Sequence, residues 1–174
     1  MSLAALFNRK SRNAVQALYG AIVAAARNPV FYVEWGVPDS LDGRFELIAL
    51  LAFLAIRRLK QSGDNAAFAQ ALFDTMFADL DRNLREMGVG DLSVGRQVKT
   101  MAKAFYGRVV AYERGLAGVD NLDEALRRNL YGTAVPDATQ IAAAAAYVRR
   151  QAQALDAAPV GSLLAGELPL AQEG

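Results

Sequence analysis

Apolar residues recur at helical spacing along most of the chain, and this pattern constrains the fold more than any other feature. Between residues 68 and 80 they fall at i, i+4, i+5, i+8, i+9 and i+12, a broad stripe along one side of a helix. A second stripe contains Val94, Val98, Met101 and Phe105. The uninterrupted apolar run at 47–56 is too short to cross a membrane, so it predicts a buried core helix.

Turn and capping residues divide this pattern into separate helices. Helices are expected to end at Asn28-Pro29, Ser62-Gly63, Gly88-Val89-Gly90 and Gly115. Ser93 and Asp137 are expected to cap the starts of others. We therefore predict six helices, at about 3–27, 41–61, 65–87, 93–114, 121–131 and 138–156. No sheet is convincing, and the aromatic segment 30–38 is predicted as an extended, irregular connection held to the core. The fold class is an all-α, single-domain helical bundle.

Within this bundle we assign three regions. Residues 1–16 are a basic amphipathic extension continuous with the first helix, residues 17–157 form the helical domain, and residues 158–174 are a weakly specified tail. Residues 1–33 contain four basic residues, Arg9, Lys10, Arg12 and Arg27, and no acidic residue.

The amino-acid composition restricts the kinds of reaction and binding site that the chain can provide. There is no cysteine and no histidine in 174 residues, so disulfides, thiolate metal sites, cysteine nucleophiles and the usual general base are all absent. The net charge is only +1, from 19 basic and 18 acidic residues, so no general affinity for nucleic acid is expected. We predict a protein that is not an enzyme, with no catalytic residue, no metal, no cofactor and no DNA partner.

Carboxylates are the first candidate site, because Asp74, Asp79, Asp81 and Glu86 share one predicted helix. Dimetal sites in helix bundles combine glutamates with Glu-x-x-His motifs, which this chain lacks. Ion pairing at i, i+4 fits better, with Asp81 facing Arg85 and Arg82 facing Glu86.

Two further features near these helices have a structural interpretation. Arg44 and Glu46 border the buried apolar run, and Arg44 is predicted to pair with Asp74 or Asp81. The glycines before Asp91 follow a helix rather than a strand, so they indicate a tight turn between helices rather than a phosphate-binding loop.

The fourth predicted helix carries a row of basic residues. Arg96, Lys99 and Lys103 fall at i, i+3 and i+7, and Arg108 lies one position off this row and extends it. The row is either a solvated face or a patch for an anionic partner such as phospholipid headgroups or ribosomal RNA. On the same helix Tyr112 is predicted to be in the core with its hydroxyl at the edge, and Tyr106 to be exposed.

Several blocks of sequence together resemble a known family. They are FY at 31–32, WGVPDSLDGRFEL at 35–47, RRLK at 57–60, ALFD at 71–74, DLDRNLREMGVGDLSV at 79–94, Lys99, Met101, AFYGR at 104–108 and AY at 111–112. They look like the ubiquinol–cytochrome c chaperone family, in a form of the alphaproteobacterial type, over about residues 17–150.

The resemblance implies a non-enzymatic factor for assembly of ubiquinol–cytochrome c reductase, complex III. Mitochondrial members receive newly made cytochrome b near the ribosomal exit and act with a small partner protein. The implied partners are cytochrome b or another complex III subunit, with the ribosomal exit region or an anionic membrane surface. The matching positions become candidates for partner contact or for the fold itself, and Arg96 and Lys103 of the basic row are further candidates for partner contact. The matching positions are Arg44, Glu46, Asp74, Arg85, Glu86, Asp91, Lys99, Tyr106, Arg108 and Tyr112.

A chaperone of this kind needs an apolar groove for its client, and we expect a basic rim beside it. We expect a monomer in the cytoplasm, peripherally associated with the inner face of the inner membrane, or on the matrix side in a mitochondrion. One alternative is a peripheral membrane module anchored by Leu3, Leu6 and Phe7 with the neighbouring basic residues. A third hypothesis is an all-α enzyme that uses a tyrosine or an aspartate.

Overall fold

The protein folds as an all-helical bundle, which confirms the predicted fold class. The structure, a computed structural model, describes residues 3–172, with side chains described from residue 9 onward. No strand occurs in this part of the chain. Its eight helices are α1 Leu3–Ala26, α2 Pro29–Val33, α3 Leu41–Gln61, α4 Ala66–Glu86, α5 Asp91–Leu116, α6 Leu122–Asn129, α7 Ala138–Ala157 and α8 Val160–Leu164.

Helix α3 lies at the centre of the bundle. It packs against α1, α4, α7 and α8, and every residue of its apolar run 47–56 is buried except the partly buried Ile48. A helix that is apolar on all sides is stable only when it is covered on all sides. The predicted core helix is therefore confirmed, and the other helices are arranged around it.

Side chains cap several of the described helix starts, and the predicted cap at Asp137 is confirmed. The Ser40 hydroxyl accepts a hydrogen bond from the Gly43 amide at 3.1 Å. Asp137 and Gln140 form a reciprocal capping box at the start of α7. The prediction for Ser93 is wrong: α5 begins at Asp91, and Ser93 lies inside its first turn.

The aromatic segment 30–38 also differs from the sequence prediction. Pro29 to Val33 form the short helix α2, and the Asn28 side chain caps it by accepting from the Val30 amide at 3.1 Å. Proline at the first helical position after an asparagine cap favours a helix start despite the β-branched and aromatic residues that follow. Phe31 and Trp35 do lie in the core, where their ring centroids are 5.3 and 5.1 Å from that of Tyr147.

The segment after Pro159, which the sequence specifies weakly, packs along the bundle. Leu163 of α8 is buried, and a Cβ atom at Gly166 would meet the side chain of Ala17 at 2.7 Å. Beyond it, the fully buried amide of Gln151 accepts from the Ala171 amide at 2.7 Å and donates to its carbonyl at 3.2 Å. One side chain thus fixes the backbone of the C-terminal segment.

Helix α5 packs closely against α4 and α6 and reaches α3 mainly through long side chains. Arg108 donates two hydrogen bonds to the carboxylate of Glu46, one of them at 2.6 Å, and both side chains are largely buried, with 16 and 11 % exposed. Arg57 of α3 binds Glu113 at 3.3 Å. Burial raises the pKa of Glu46, and the hydrogen bonds from Arg108 oppose that shift.

A substitution at Gly43 tests how tightly the first turn of α3 packs against the segment before it. A Cβ atom there would lie 2.0 Å from the carbonyl oxygen of Pro38, so Gly43→Ala forces the backbone apart. We expect it to lower the free energy of unfolding by about 2–4 kcal/mol in urea titrations. Gly20→Ala is the matched control, since a Cβ at Gly20 meets nothing within 4 Å among the described residues. It should raise stability by up to about 1 kcal/mol, and equal effects of the two variants would contradict the packing.

Variants of Arg108 and Glu46 test whether this ion pair attaches α5 to α3. Arg108→Met leaves the buried carboxylate without its cation and should cost about 2–4 kcal/mol at neutral pH. Burial, together with the nearby charge of Asp42, then holds the pKa of folded Glu46 above its unfolded value. The variant should therefore be most stable at low pH, below the unfolded pKa, and lose stability as the pH rises through the folded pKa.

The double variant Glu46→Met, Arg108→Met is the control for this prediction. It removes both charges from the buried site, so it should cost less than Arg108→Met alone and lack the added pH dependence. Denaturant unfolding followed by circular dichroism at several pH values measures both effects. A pH-independent loss in the single variant would contradict a buried, charged Glu46.

Candidate functional site

The outer side of α5 carries a row of basic side chains that have no acidic partner among the described residues. We call Arg96, Lys99 and Lys103 the basic stripe; all three are exposed. No carboxylate of a described residue lies within 4.0 Å of them. By contrast, Arg114 near the end of the same helix is paired with Asp120 at 2.6 Å. The stripe therefore keeps its positive charge available to another molecule.

Large apolar side chains continue the basic stripe at both ends. Leu92 is 90 % exposed before it, and Tyr106 and Val110 are 54 and 58 % exposed after it. Their spacing places all of them on one side of the helix. We call this surface the α5 face; its six residues are Leu92, Arg96, Lys99, Lys103, Tyr106 and Val110.

An aromatic cluster lies between α4 and α5, next to the α5 face. The ring of Phe73 lies 4.7 Å from that of Phe77, 5.5 Å from that of Phe105 and 5.5 Å from that of Tyr106, between centroids. Phe77 and Phe105 are buried, whereas Phe73 is only partly covered. The cluster therefore connects the core to the surface at Tyr106 and fixes the position of that ring.

Arg108 does not extend the basic stripe, and this sequence prediction is wrong. Its position on α5 turns it toward α3, where it pairs with Glu46 as described above. The pairing neutralises the charge and buries the guanidinium. Both residues hold the fold together, and their role in partner contact stays a prediction.

Arg85 joins the end of α4 to the start of α5. It pairs with Asp81 at 2.6 Å, as predicted, and also with Asp91 across the turn. Gly88 in this turn has a φ of 81°, which is consistent with the predicted tight turn. The predicted pair between Arg82 and Glu86 is wrong: Arg82 lies 3.5 Å from Asp79, and Glu86 is exposed.

Arg44 and Asp74 are not brought together. Arg44 pairs with the nearby Asp39 at 2.7 Å, so its predicted pairing with Asp74 or Asp81 is wrong. Asp74 accepts a hydrogen bond from Gln70 at 2.8 Å and is exposed on α4. In both cases a neighbour along the chain takes the place of the predicted partner.

Tyr112 is buried, as predicted, but its hydroxyl is not at the edge of the core. The residue is 1 % exposed, and its hydroxyl has no hydrogen-bond partner among the described residues. Burial and the nearby charge of Glu46 raise its pKa. Tyr112 packs on Phe53 of α3 at 5.5 Å between ring centroids, so it serves the core.

Three functional candidates were missed from the sequence, namely Leu92, Val110 and Phe73. The signal for the first two was present: continuing the basic row by four residues toward the N-terminus reaches Leu92, and by seven toward the C-terminus reaches Val110. Phe73 belongs to the predicted apolar stripe of α4, and nothing in that pattern shows which of its members faces α5.

Other parts of the described chain are weaker candidates for a functional site. It contains no group of three or more acidic residues placed to hold a metal ion. Two open surface clefts have volumes of about 410 and 430 Å³; one lies beside Tyr147 and the other between Arg12 and Phe68. Neither cleft is lined by Glu46, the buried carboxylate with a raised pKa. The side chains of Leu3, Leu6 and Phe7, predicted as a membrane anchor, lie outside the described residues, and no described helix is long and apolar enough to span a membrane.

Comparison with known proteins gives several matches along the chain. A solved structure described as the Cbp3 homolog from Brucella abortus superposes with a TM-score of 0.83 at 35 % identity, covering 98 % of this chain and 97 % of that one. Ubiquinol-cytochrome-c reductase complex assembly factor 1 of Xenopus laevis is 26 % identical over 149 residues, which is 84 % of this chain and 74 % of that protein. The mouse protein of that name is also 26 % identical, and the match spans 50 % of its length.

A family model agrees with these matches. The model described as Ubiquinol-cytochrome C chaperone matches residues 33–171, which contain α3 to α8 and the whole α5 face. The resemblance noted from the sequence is thereby confirmed. The chain belongs to the ubiquinol–cytochrome c chaperone family, whose members assist the assembly of complex III.

Proposed function

We propose that this protein is a non-enzymatic assembly chaperone that binds newly made cytochrome b of complex III through the α5 face and the aromatic cluster behind it. One observation carries the proposal: the basic stripe has no acidic partner among the described residues and continues into exposed apolar side chains. A solvated helix face needs no such apolar residues. A surface that holds an unassembled membrane protein needs both kinds of contact.

The client is itself a membrane protein, so the chaperone would act next to the membrane. We therefore place it at the inner face of the inner membrane, on the cytoplasmic side, as a peripheral partner. The basic stripe suits this position, because the cytoplasmic leaflet carries anionic lipids that attract lysine and arginine. The ribosomal exit region remains a further proposed neighbour, since its RNA attracts the same charges.

Reversal of charge in the stripe tests the proposal. The variant Lys99→Glu, Lys103→Glu should recover about tenfold less cytochrome b than the wild type when tagged full-length protein is purified from the native membrane fraction. The matched control Lys60→Glu, Arg128→Glu makes the same change at exposed positions on α3 and α6 and should recover wild-type amounts.

Circular dichroism and thermal unfolding confirm that both variants are folded before the comparison. Unchanged recovery in a folded stripe variant would contradict the role of the α5 face. A wild-type protein that recovers no cytochrome b, while complex III forms normally without it, would contradict the proposed client.

A further inference from the structure

Two glycines on the exposed side of α5 have no packing partner among the described residues. Gly95 and Gly107 are both exposed, and a Cβ atom at either would meet nothing within 4 Å. Glycine is unfavourable inside a helix, because it loses more conformational freedom than alanine. One physical use for such a glycine is to let another backbone approach closely. Gly107 lies one turn after Lys103 and one turn before Val110 of the α5 face.

The α5 face has the spacing of a helix–helix contact. From Leu92 to Val110 its residues are separated alternately by four and three positions. This is the heptad pattern by which one helix packs along another, and it extends over about 27 Å. The inner side of α5 already uses such a pattern to reach its neighbours, with Val94, Phe105 and Tyr112 buried. Apart from the contact between Tyr106 and Phe73 of α4, the side chains of the outer pattern are exposed in the described chain.

The charge of the α5 face selects the chemistry of a partner helix. No aspartate or glutamate occurs from residue 92 to residue 112. A second copy of this face would bring three cations against three cations, so self-association through it is disfavoured. A phosphate surface would neutralise the charges but makes no use of an open glycine. A partner helix with carboxylates in its middle and apolar residues near its ends matches the basic stripe, the exposed apolar side chains and the open glycine.

We propose that the α5 face binds an acidic, amphipathic α-helix of a partner protein. Carboxylates of that helix pair with the basic stripe, its apolar residues contact Leu92 and Val110, and its backbone comes closest at Gly107. The inference rests on the proposed chaperone function, because it names the kind of segment that the surface binds. It adds a geometry, two helices packed side by side, which that function does not require.

A peptide with the proposed chemistry tests the inference. The probe is a fluorescent, alanine-based helix of about 20 residues, with glutamates at heptad spacing in the middle and leucines near the ends. Fluorescence anisotropy with the full chain should show binding, and replacement of the glutamates by glutamine should weaken it at least about tenfold. No binding, or equal binding of both peptides, overturns the proposal. So does binding of phosphatidylglycerol vesicles without binding of the glutamate peptide.

The glycine has its own matched pair of variants. Gly107→Leu should weaken binding of the glutamate peptide at least about tenfold, because the side chain holds the two helices apart. Gly20→Leu places the same residue at an exposed, open position of α1 and should leave binding unchanged. Leucine is a better helix former than glycine, so both variants should keep or raise Tm. Wild-type binding by folded Gly107→Leu overturns the close approach.

Charge exchange completes the test. Lys99→Glu, Lys103→Glu should lose the glutamate peptide and gain a lysine version of the same peptide. Recovery of cytochrome b by the wild-type protein is measured separately. If cytochrome b is recovered and the peptides do not bind, the inference fails while the proposed function stands. If the peptides bind as expected and cytochrome b is not recovered, the helix-binding surface stands and the proposed client is wrong.

Discussion

The ion pair between Glu46 and Arg108 fixes the position of α5 on the central helix. Both groups are largely removed from water, and an unpaired charge there would be costly, so each one holds the other in place. Phe53 and Tyr112 add an aromatic contact between the same two helices. Because long side chains span the distance to α3, α5 uses only a narrow inner stripe for the fold. Four of its 26 residues are buried, and its outer side is left for other uses.

Stability does not explain the distribution of charge on α5. An exposed ion pair contributes about 0–1 kcal/mol, so leaving a surface cation unpaired costs little. Nonetheless, Arg108 and Arg114 are paired, while three successive cations between Leu92 and Tyr106 have no acidic partner in the part of the chain that the structure describes. The same region lacks acidic residues. The simplest physical account is a surface kept positive for a partner, which is consistent with membership of a chaperone family.

Much of the fold follows from local sequence rules, and the exceptions have physical causes. Periodic apolar residues and capping side chains identify the long helices, because both signals act within a few turns. The short helix at Pro29 was missed because five residues give too little periodicity to outweigh a β-like composition. Arg108 was assigned to the wrong side of α5 because its partner, Glu46, is 62 residues away in the sequence. Arg44 pairs with Asp39, which is close in the sequence. Helical spacing alone does not show whether this pair or one with Asp74 or Asp81 is more favourable.

The proposed binding surface is partly held in shape by the core of the free protein. Tyr106 has its exposed side on the α5 face, while its ring packs against Phe73, which in turn contacts the buried Phe77. A side chain already ordered by the core loses little conformational freedom when it is covered. The basic side chains beside it are long and exposed, and in the proposed complex they contribute attraction and orientation more than fixed contacts. An ordered aromatic anchor beside adaptable cations fits the proposed chaperone function, which requires a surface that can both hold a client and release it to the assembling complex.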